Sequence, residues 1–519
     1  MTGVTYASAR GRWVVLATVL GSGLATIDAT VVGIALPAIG REFHTGLTSL
    51  QWIVTGYTLT LAGLLLVAGA LGDRYGRRRV FVVGVVWFAL ASLLCGLAPN
   101  AGVLIAARTL QGVGAALLTP SSLAILEATF VPEDRGRAIG AWSGLGGLAA
   151  AVGPFLGGWL ISAFSWRLIF YINLPLAAAV ILVSLRHVPE TRSAVATGRV
   201  DLLGGALVTG SLLGLCYGLT EGGPLGWDSP AVLFALIAGV ALLLAFVLRE
   251  RRAAHPLLPL EVFGSRRFSA TNAVTFIVYG ALGATLFLLP IQLQQVAGYP
   301  PMAAGAALLP VTVIMLLLSA RSGALAARIG PRPQMTIGPV LVAVGILLLV
   351  RIGPDGNYLT QVLPAMVVFG LGLAATVAPL TATALSSVDP EHSGLASAVN
   401  NDVARVGGLI AIAILPAAAG IGELTYRNPA AFSSGFRAAC VIAAVVCAAG
   451  GVLAGLTLGG EPRPAEAPVP APERVPAAGT AAAATAAAAP RIARAVPLPG
   501  YHCGLDAPPL RREPAGRST

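Results

Sequence analysis

Charged side chains interrupt some of the apolar runs. Asp28 lies in "LATIDATVVGIALP" and Arg108 in "LIAARTLQGVGAALLTP". A carboxylate inside a membrane-length segment costs at least about 2.5 kcal/mol on insertion scales, so such acids usually face a cavity and mark an ion or proton path. Burial disfavours the charged form of a carboxyl, which makes Asp28 a candidate proton-binding group; the alternative is a polar residue hydrogen-bonded in helix packing. Arg108 at such a depth needs a partner. Asp28 is one candidate if the two spans line one cavity, and an arginine snorkelling to the headgroups is the alternative.

A third group of charges lies between apolar runs. "GALGDRYGRRR" (69–79) has a worn copy, "GALAARIGPRP" (323–333), in which Asp73 is replaced by Ala327. Gly69, Gly72 and Gly76 permit a tight turn. Asp73 can accept hydrogen bonds, and Arg77, Arg78 and Arg79 favour an inside location. Charge pairs at such a surface can latch two halves of a protein in one conformation and release them in another. Glu127 is placed to join an Asp73, Arg77, Glu127 network.

Other chemistries lack their residues. All 33 basic residues are arginine, which excludes a GxxxxGK[ST] phosphate loop and with it ATP drive from this chain. The five cysteines include no CxxC pair, and Cys95, Cys216, Cys440 and Cys447 fall in or near apolar runs as small buried thiols. The five histidines fall in loops or in the tail, so no zinc-type cluster is visible. The net charge of +11 resides in short segments between apolar runs, which argues for membrane topology and against nucleic acid. No nucleophile, metal or cofactor constellation points to an enzyme.

The elements that must position these residues are membrane helices. The chain of 519 residues is 56% hydrophobic and only 11% charged, against about a quarter charged in soluble globules. Its apolar runs are roughly 20 residues long, enough to cross a hydrocarbon core of about 30 Å. They fall at about 13–38, 50–71, 80–98, 102–126, 138–164, 168–186, 201–220, 230–248, 269–291, 303–320, 334–352, 360–384, 394–420 and 435–458. The repeated loop follows the second span of the first six and the second span of the last six, the sign of two related six-helix halves around a central site. The expected division is a short N-terminus (1–12), a first half (13–190), an inserted hairpin (200–250), a second half (268–459) and a disordered Pro/Ala-rich tail (460–519). Arginine bias across an even number of spans places both termini in the cytoplasm.

With these motifs in order, the chain resembles the major facilitator superfamily and, within it, the fourteen-span drug:proton antiporters. "GALGDRYGRRR" is similar to the superfamily loop at Gly69, Asp73, Arg74, Gly76, Arg77 and Arg78. "RTLQGVGAA" resembles the fourth-span motif at Arg108, Gln111, Gly112 and Gly114. The fifth-span antiporter motif is matched at Gly140, Gly153, Pro154, Gly157 and Gly158, and "WRLIFYINLP" (166–175) resembles a stretch typical of the fourteen-span branch. The first-span motif is matched at Asp28, Thr30, Ala35, Leu36 and Pro37, with Gly33 where asparagine is usual.

The resemblance implies an alternating-access exporter in the plasma membrane, exchanging protons for an amphipathic organic compound, with the proton gradient as its drive and no cofactor or metal. A monomer is expected. Asp28 and Arg108 would serve proton coupling, and the 69–79 network inner closure. Gln111, Asn272, Gln292 and Gln295 are cavity candidates; for the last three, loop-facing or helix-packing roles stand equally open. The alternative function is a nutrient or metabolite symporter of the same fold, which flux direction would separate. Because only the first loop keeps its acid, Asp73→Ala should cripple transport while changes at Ala327 are tolerated, measured as the resistance each variant confers on an exporter-deficient host. Equal behaviour of the two would reduce the loop to a topogenic turn.

Overall fold

The computed structural model describes residues 3–192, 200–253, 256–388 and 393–458. The tail from 460, with His502 and Cys503, lies outside the described residues, as do His255 and His392. Among the described residues fourteen helices are long and apolar enough to cross a membrane. They are α1 (Ala9–Phe43), α2 (Leu47–Tyr75), α3 (Arg77–Gly96), α4 (Ala101–Thr129), α5 (Pro132–Ala163), α6 (Leu168–His187), α7 (Leu202–Leu225), α8 (Pro230–Glu250), α9 (Arg266–Val296), α10 (Pro301–Ile329), α11 (Arg332–Arg351), α12 (Tyr358–Leu385), α13 (Gly394–Ala418) and α14 (Pro429–Thr457). Several extend a turn or more beyond the apolar run that marks them. Local chemistry sets those ends: Ser8 caps α1, Asn100 caps α4 and Asn428 caps α14, each accepting from a backbone N–H of the first turn. Proline opens α5, α8 and α14, where its missing N–H costs nothing.

The helices pair in two sets by one scheme. In the first set α1 packs on α4, α5 and α6, α4 on α2 and α3, and α3 on α6; in the second, α9 packs on α12, α13 and α14, α12 on α10 and α11, and α11 on α14. The internal repeat in the sequence is therefore a repeat of helix contacts. The sets meet along α5 against the start of α10, α2 against α13, and α1 against α9.

Both copies of the repeated loop turn on a glycine with positive φ, Gly76 at 113° and Gly330 at 83°, a conformation that side chains rarely adopt. Both also place an arginine on a carbonyl near the end of the set's last helix. Arg78 Nη1 donates to Val188 O at 3.1 Å, and Arg332 Nε donates to Gly455 O at 2.9 Å. Such contacts satisfy carbonyls that a helix end leaves without partners.

The inserted pair is held differently. α7 packs on α8, and also on α2 and α13, so it touches both sets. α8 leaves Phe234, Ile237 and Leu244 exposed on its outer face, as a lipid-facing helix does. At its other end Asp201 caps α7 through Gly204 N (2.8 Å) and takes Arg249 of α8 on both oxygens, at 2.8–3.1 Å. These Arg249 hydrogen bonds, and those from the backbone, hold the Asp201 carboxyl below the usual carboxylate range despite burial. A depressed folded pKa contributes stability above the unfolded value and loses it as pH falls through the folded one. Asp201→Ala should therefore lower stability near neutral pH by about 1 kcal/mol, the typical value of a helix cap. The deficit, read as a melting-temperature difference in detergent, should shrink on acidification below the carboxylate range.

Candidate functional site

Asp28 and Arg108 meet. Each is about 1% exposed, so the snorkelling alternative for Arg108 does not describe this chain. Arg108 Nη1 donates to Asp28 Oδ2. Asp28 Oδ1 accepts from Gln111 Nε2 at 2.8 Å and from Asn173 Nδ2 at 3.1 Å. Gln111 stands three residues from Arg108 on one face of α4, where its Oε1 accepts from Arg108 Nη1 at 2.7 Å. Arg108 Nε donates to Ile53 O at 3.2 Å, and its guanidinium lies 4.2 Å from the Tyr57 ring centroid. Ser92 of α3 accepts from Asn173 at 2.9 Å and from Gln111 at 3.3 Å.

Helices α1, α3, α4 and α6, with Ile53 and Tyr57 of α2, thus supply one buried polar cluster. A buried charge is tolerable when it is both paired and hydrogen-bonded, and breaking such a pair from one side costs about 3–5 kcal/mol. Asn173, Ser92 and Tyr57 were not singled out from the sequence. Asn173 falls in "WRLIFYINLP", which also supplies Trp166 and Arg167, both donors to Glu42 at the end of α1. The one available signal was a neutral amide inside that stretch.

The loop residues line a cavity of ≈ 590 Å³ that opens at the arginine-rich end of the bundle. Its wall includes Gly69, Asp73, Arg74 and Glu127, with Trp142 of α5, Asp201 at the start of α7, and Ser397, Asn401 and Arg405 of α13. Arg77 donates to Asp73 Oδ1 through Nε (2.9 Å) and Nη2 (2.7 Å), and through Nη1 to Ala124 O (3.0 Å). The expected triad forms in part: Arg77 takes a main-chain oxygen one turn from Glu127, and Glu127 faces the same cavity. A second acid, unforeseen, holds the other arginines. Glu190 accepts from Arg78 N at 3.1 Å and lies 3.7 Å and 3.8 Å from the Nε atoms of Arg78 and Arg79.

The opposite end is shut by contacts between the two sets. Gln51 of α2 donates to Ile412 O at 2.7 Å, Gln294 of α9 to Ile34 O at 2.9 Å, and Met302 N to Ser162 Oγ at 3.2 Å. The fifth-span glycines permit close packing on both sides of α5, against α1 within the first set and against the start of α10 in the second. A Cβ on Gly157 would come within 2.6 Å of Val31, and one on Gly158 within 2.5 Å of Pro301 O. Gly153 lies equally close to Thr30, the carbonyl of Pro154 crowds Gly305 of α10, and Gly140 faces open space.

Three cavity candidates lie elsewhere. Gln292 donates to Ile352 O and Ser433, and Gln295 to the Tyr426 hydroxyl, both within the second set at its closed end. Asn272 is bound by Asn400 inside the α9–α13 packing. Each sits off the cavity because a neighbouring helix supplies its hydrogen-bond partner, which a buried amide needs more than solvent. Gln111 belongs to the Asp28 cluster and not to the cavity wall.

The Major Facilitator Superfamily model matches residues 18–202 and 188–412. Among curated proteins, the puromycin resistance protein of Streptomyces alboniger is 40% identical over 78% of this chain and 81% of its own length. The tetracenomycin C resistance and export protein of Streptomyces glaucescens is 36% identical over 78% and 76%. Of solved structures, a bacterial homologue of the lysosomal transporter Spinster, inward-facing and unoccupied, aligns with TM-score 0.60 at 18% identity over 87% of this chain and 97% of that one. A peptide transporter aligns with TM-score 0.63 at 13% identity over 88% and 98%. On its helix pairing, its motifs and these matches, the chain belongs to the Major Facilitator Superfamily, a family of membrane transporters and not of enzymes.

Proposed function

We propose that the protein exports a drug, an antibiotic or another amphipathic organic compound across the plasma membrane by proton-coupled alternating access. The observation that carries this reading is the asymmetry of the bundle: a cavity of ≈ 590 Å³ at the arginine-rich end, with side-chain bonds between the sets at the other. Cavities of about 300–1,000 Å³ suit small organic ligands. Arginine-rich loops belong to the cytoplasmic side, so the mouth and both termini face the cytoplasm and the compound enters from within. The resistance and export activities in the names of the relatives support the outward direction and the substrate class.

Asp28 and Arg108 are the switch in this reading. The pair lies about three helical turns deeper along α4 than Thr119 of the cavity wall. A proton on Asp28 weakens its hold on Arg108, whose other partners are the Gln111 amide, a main-chain carbonyl and the Tyr57 ring. Arg108 is then free to rearrange the first set. The Asp73–Arg77 pair governs closure of the cytoplasmic mouth. The proton gradient is the only drive, no cofactor takes part, and one chain suffices.

Inverted vesicles with an acidic interior should accumulate ethidium through the protein, and no uptake across a broad panel of organic cations would remove the reading. Asp28→Asn should insert and lose that uptake; wild-type uptake would take Asp28 out of the mechanism. Arg108→Ala leaves the Asp28 carboxylate without its cation and should destabilise the protein by about 3–5 kcal/mol, read by thermal unfolding in detergent. Combining it with Asp28→Asn should recover part of that loss, as a double-mutant cycle for a direct pair requires.

A further inference from the structure

Both oxygens of Asp28 are taken by donors, so a proton reaches it only after Arg108 or an amide has moved. A second acid inside a span is held differently. Asp402 lies in "NNDVARVGG" of α13, and its Oδ1 is enclosed without a hydrogen-bond partner. A carboxylate so placed carries its charge at a cost that one bound proton removes.

Its position is specific. Gly394, Ser397, Ala398, Asn401 and Arg405 form the cavity stripe of α13. Asp402 stands one position round from Asn401 and one turn before Val406, which with Leu409 packs against Leu59 and Ala62 of α2 and Leu212 and Cys216 of α7. The acid thus sits where the cavity wall passes into the seam between α2, α7 and α13.

The charged groups on the packed elements are few. On α2 they are Asp73, bound by Arg77, and Arg74, with Tyr57 the titratable group nearer mid-span. On α7 they are Asp201, bound by Arg249, and Glu221, which accepts from Trp52. α9 carries Arg266 and Arg267 in its first turn, with Tyr279 further along; α12 carries no charge; α14 carries Arg437. Arg405 stands three residues on along the same helix, within side-chain reach of Asp402, and lines the cavity.

We infer that Asp402 is a second proton-binding site, one that sets the charge of the cavity through Arg405. With Asp402 ionised, its charge offsets that of Arg405 and the wall accepts an organic cation. When a proton adds to the carboxylate, no other bond changes, but Arg405 then faces the cavity uncompensated and disfavours that cation. Proton and cation therefore exclude each other, as antiport requires. Coupling of this site to export rests on the exporter reading above; proton binding at Asp402 does not.

The test is pH-difference infrared spectroscopy on the full chain in nanodiscs. The wild type should show a protonated-carboxyl band that rises on acidification. Asp402→Asn should lose one component of it that Asp28→Asn keeps, and Asp402→Glu, the control for folding, should show that component displaced. In proteoliposomes, Asp402→Asn should move fewer protons per ethidium than the wild type. An unchanged band in Asp402→Asn, or an unchanged proton count, overturns the inference. A band that follows Asp402 in a protein that moves no member of a broad panel of organic cations against protons sustains the site and removes the exporter reading.

Discussion

The structure depends on one constraint: inside a membrane every polar group must find its partner within the protein. Asp28 and Arg108 show how the chain meets it for a fully buried pair of charges. These opposite charges, 80 residues apart in sequence, are enclosed with Gln111, Asn173 and Ser92, and each charge finds hydrogen-bond partners there. Four helices converge to do this. The cluster therefore fixes how α1, α3, α4 and α6 sit against one another.

The two sets share a scheme but not their chemistry. Where the first has Asp73 bound by Arg77 on the cavity wall, the second has Ala327 and Pro331, and a neutral bond from Gln334 to Ser322 ties α11 to α10. What both keep is the glycine turn and the arginine on the last helix of the set, features of folding and orientation. The carboxylates inside the bundle or lining its cavity are Asp28, Asp73 and Glu127 in the first set and, among the described residues, Asp402 of α13 in the second.

Much of this was legible because a charge in an apolar run has few explanations. Asp28, Arg108, the repeated loop and all fourteen spans could be read from the sequence, since each breaks or repeats a pattern. The partners could not, because a serine, an asparagine or a tyrosine in a helix is ordinary until a charge is placed beside it. Gln292 and Gln295 were singled out where Gln294 makes the bond between the sets. The three lie on a π-helical turn, Gln292–Val296, where the usual 3.6-residue register fails. Asp402 follows two asparagines and has Arg405 three residues on, polar neighbours among which one acid does not stand out. What marks it is an oxygen without a partner, and no sequence pattern displays that.

Helix α7 touches α2 and α13 on one flank of the seam between the sets, while the other flank, α5 against α10, has no such third helix among the described contacts. Two bodies strapped along one edge do not rock evenly about their midline. With α7 along one edge only, the flank of α5 against α10 is the one where close glycine packing, and no third helix among the described contacts, holds the two sets together.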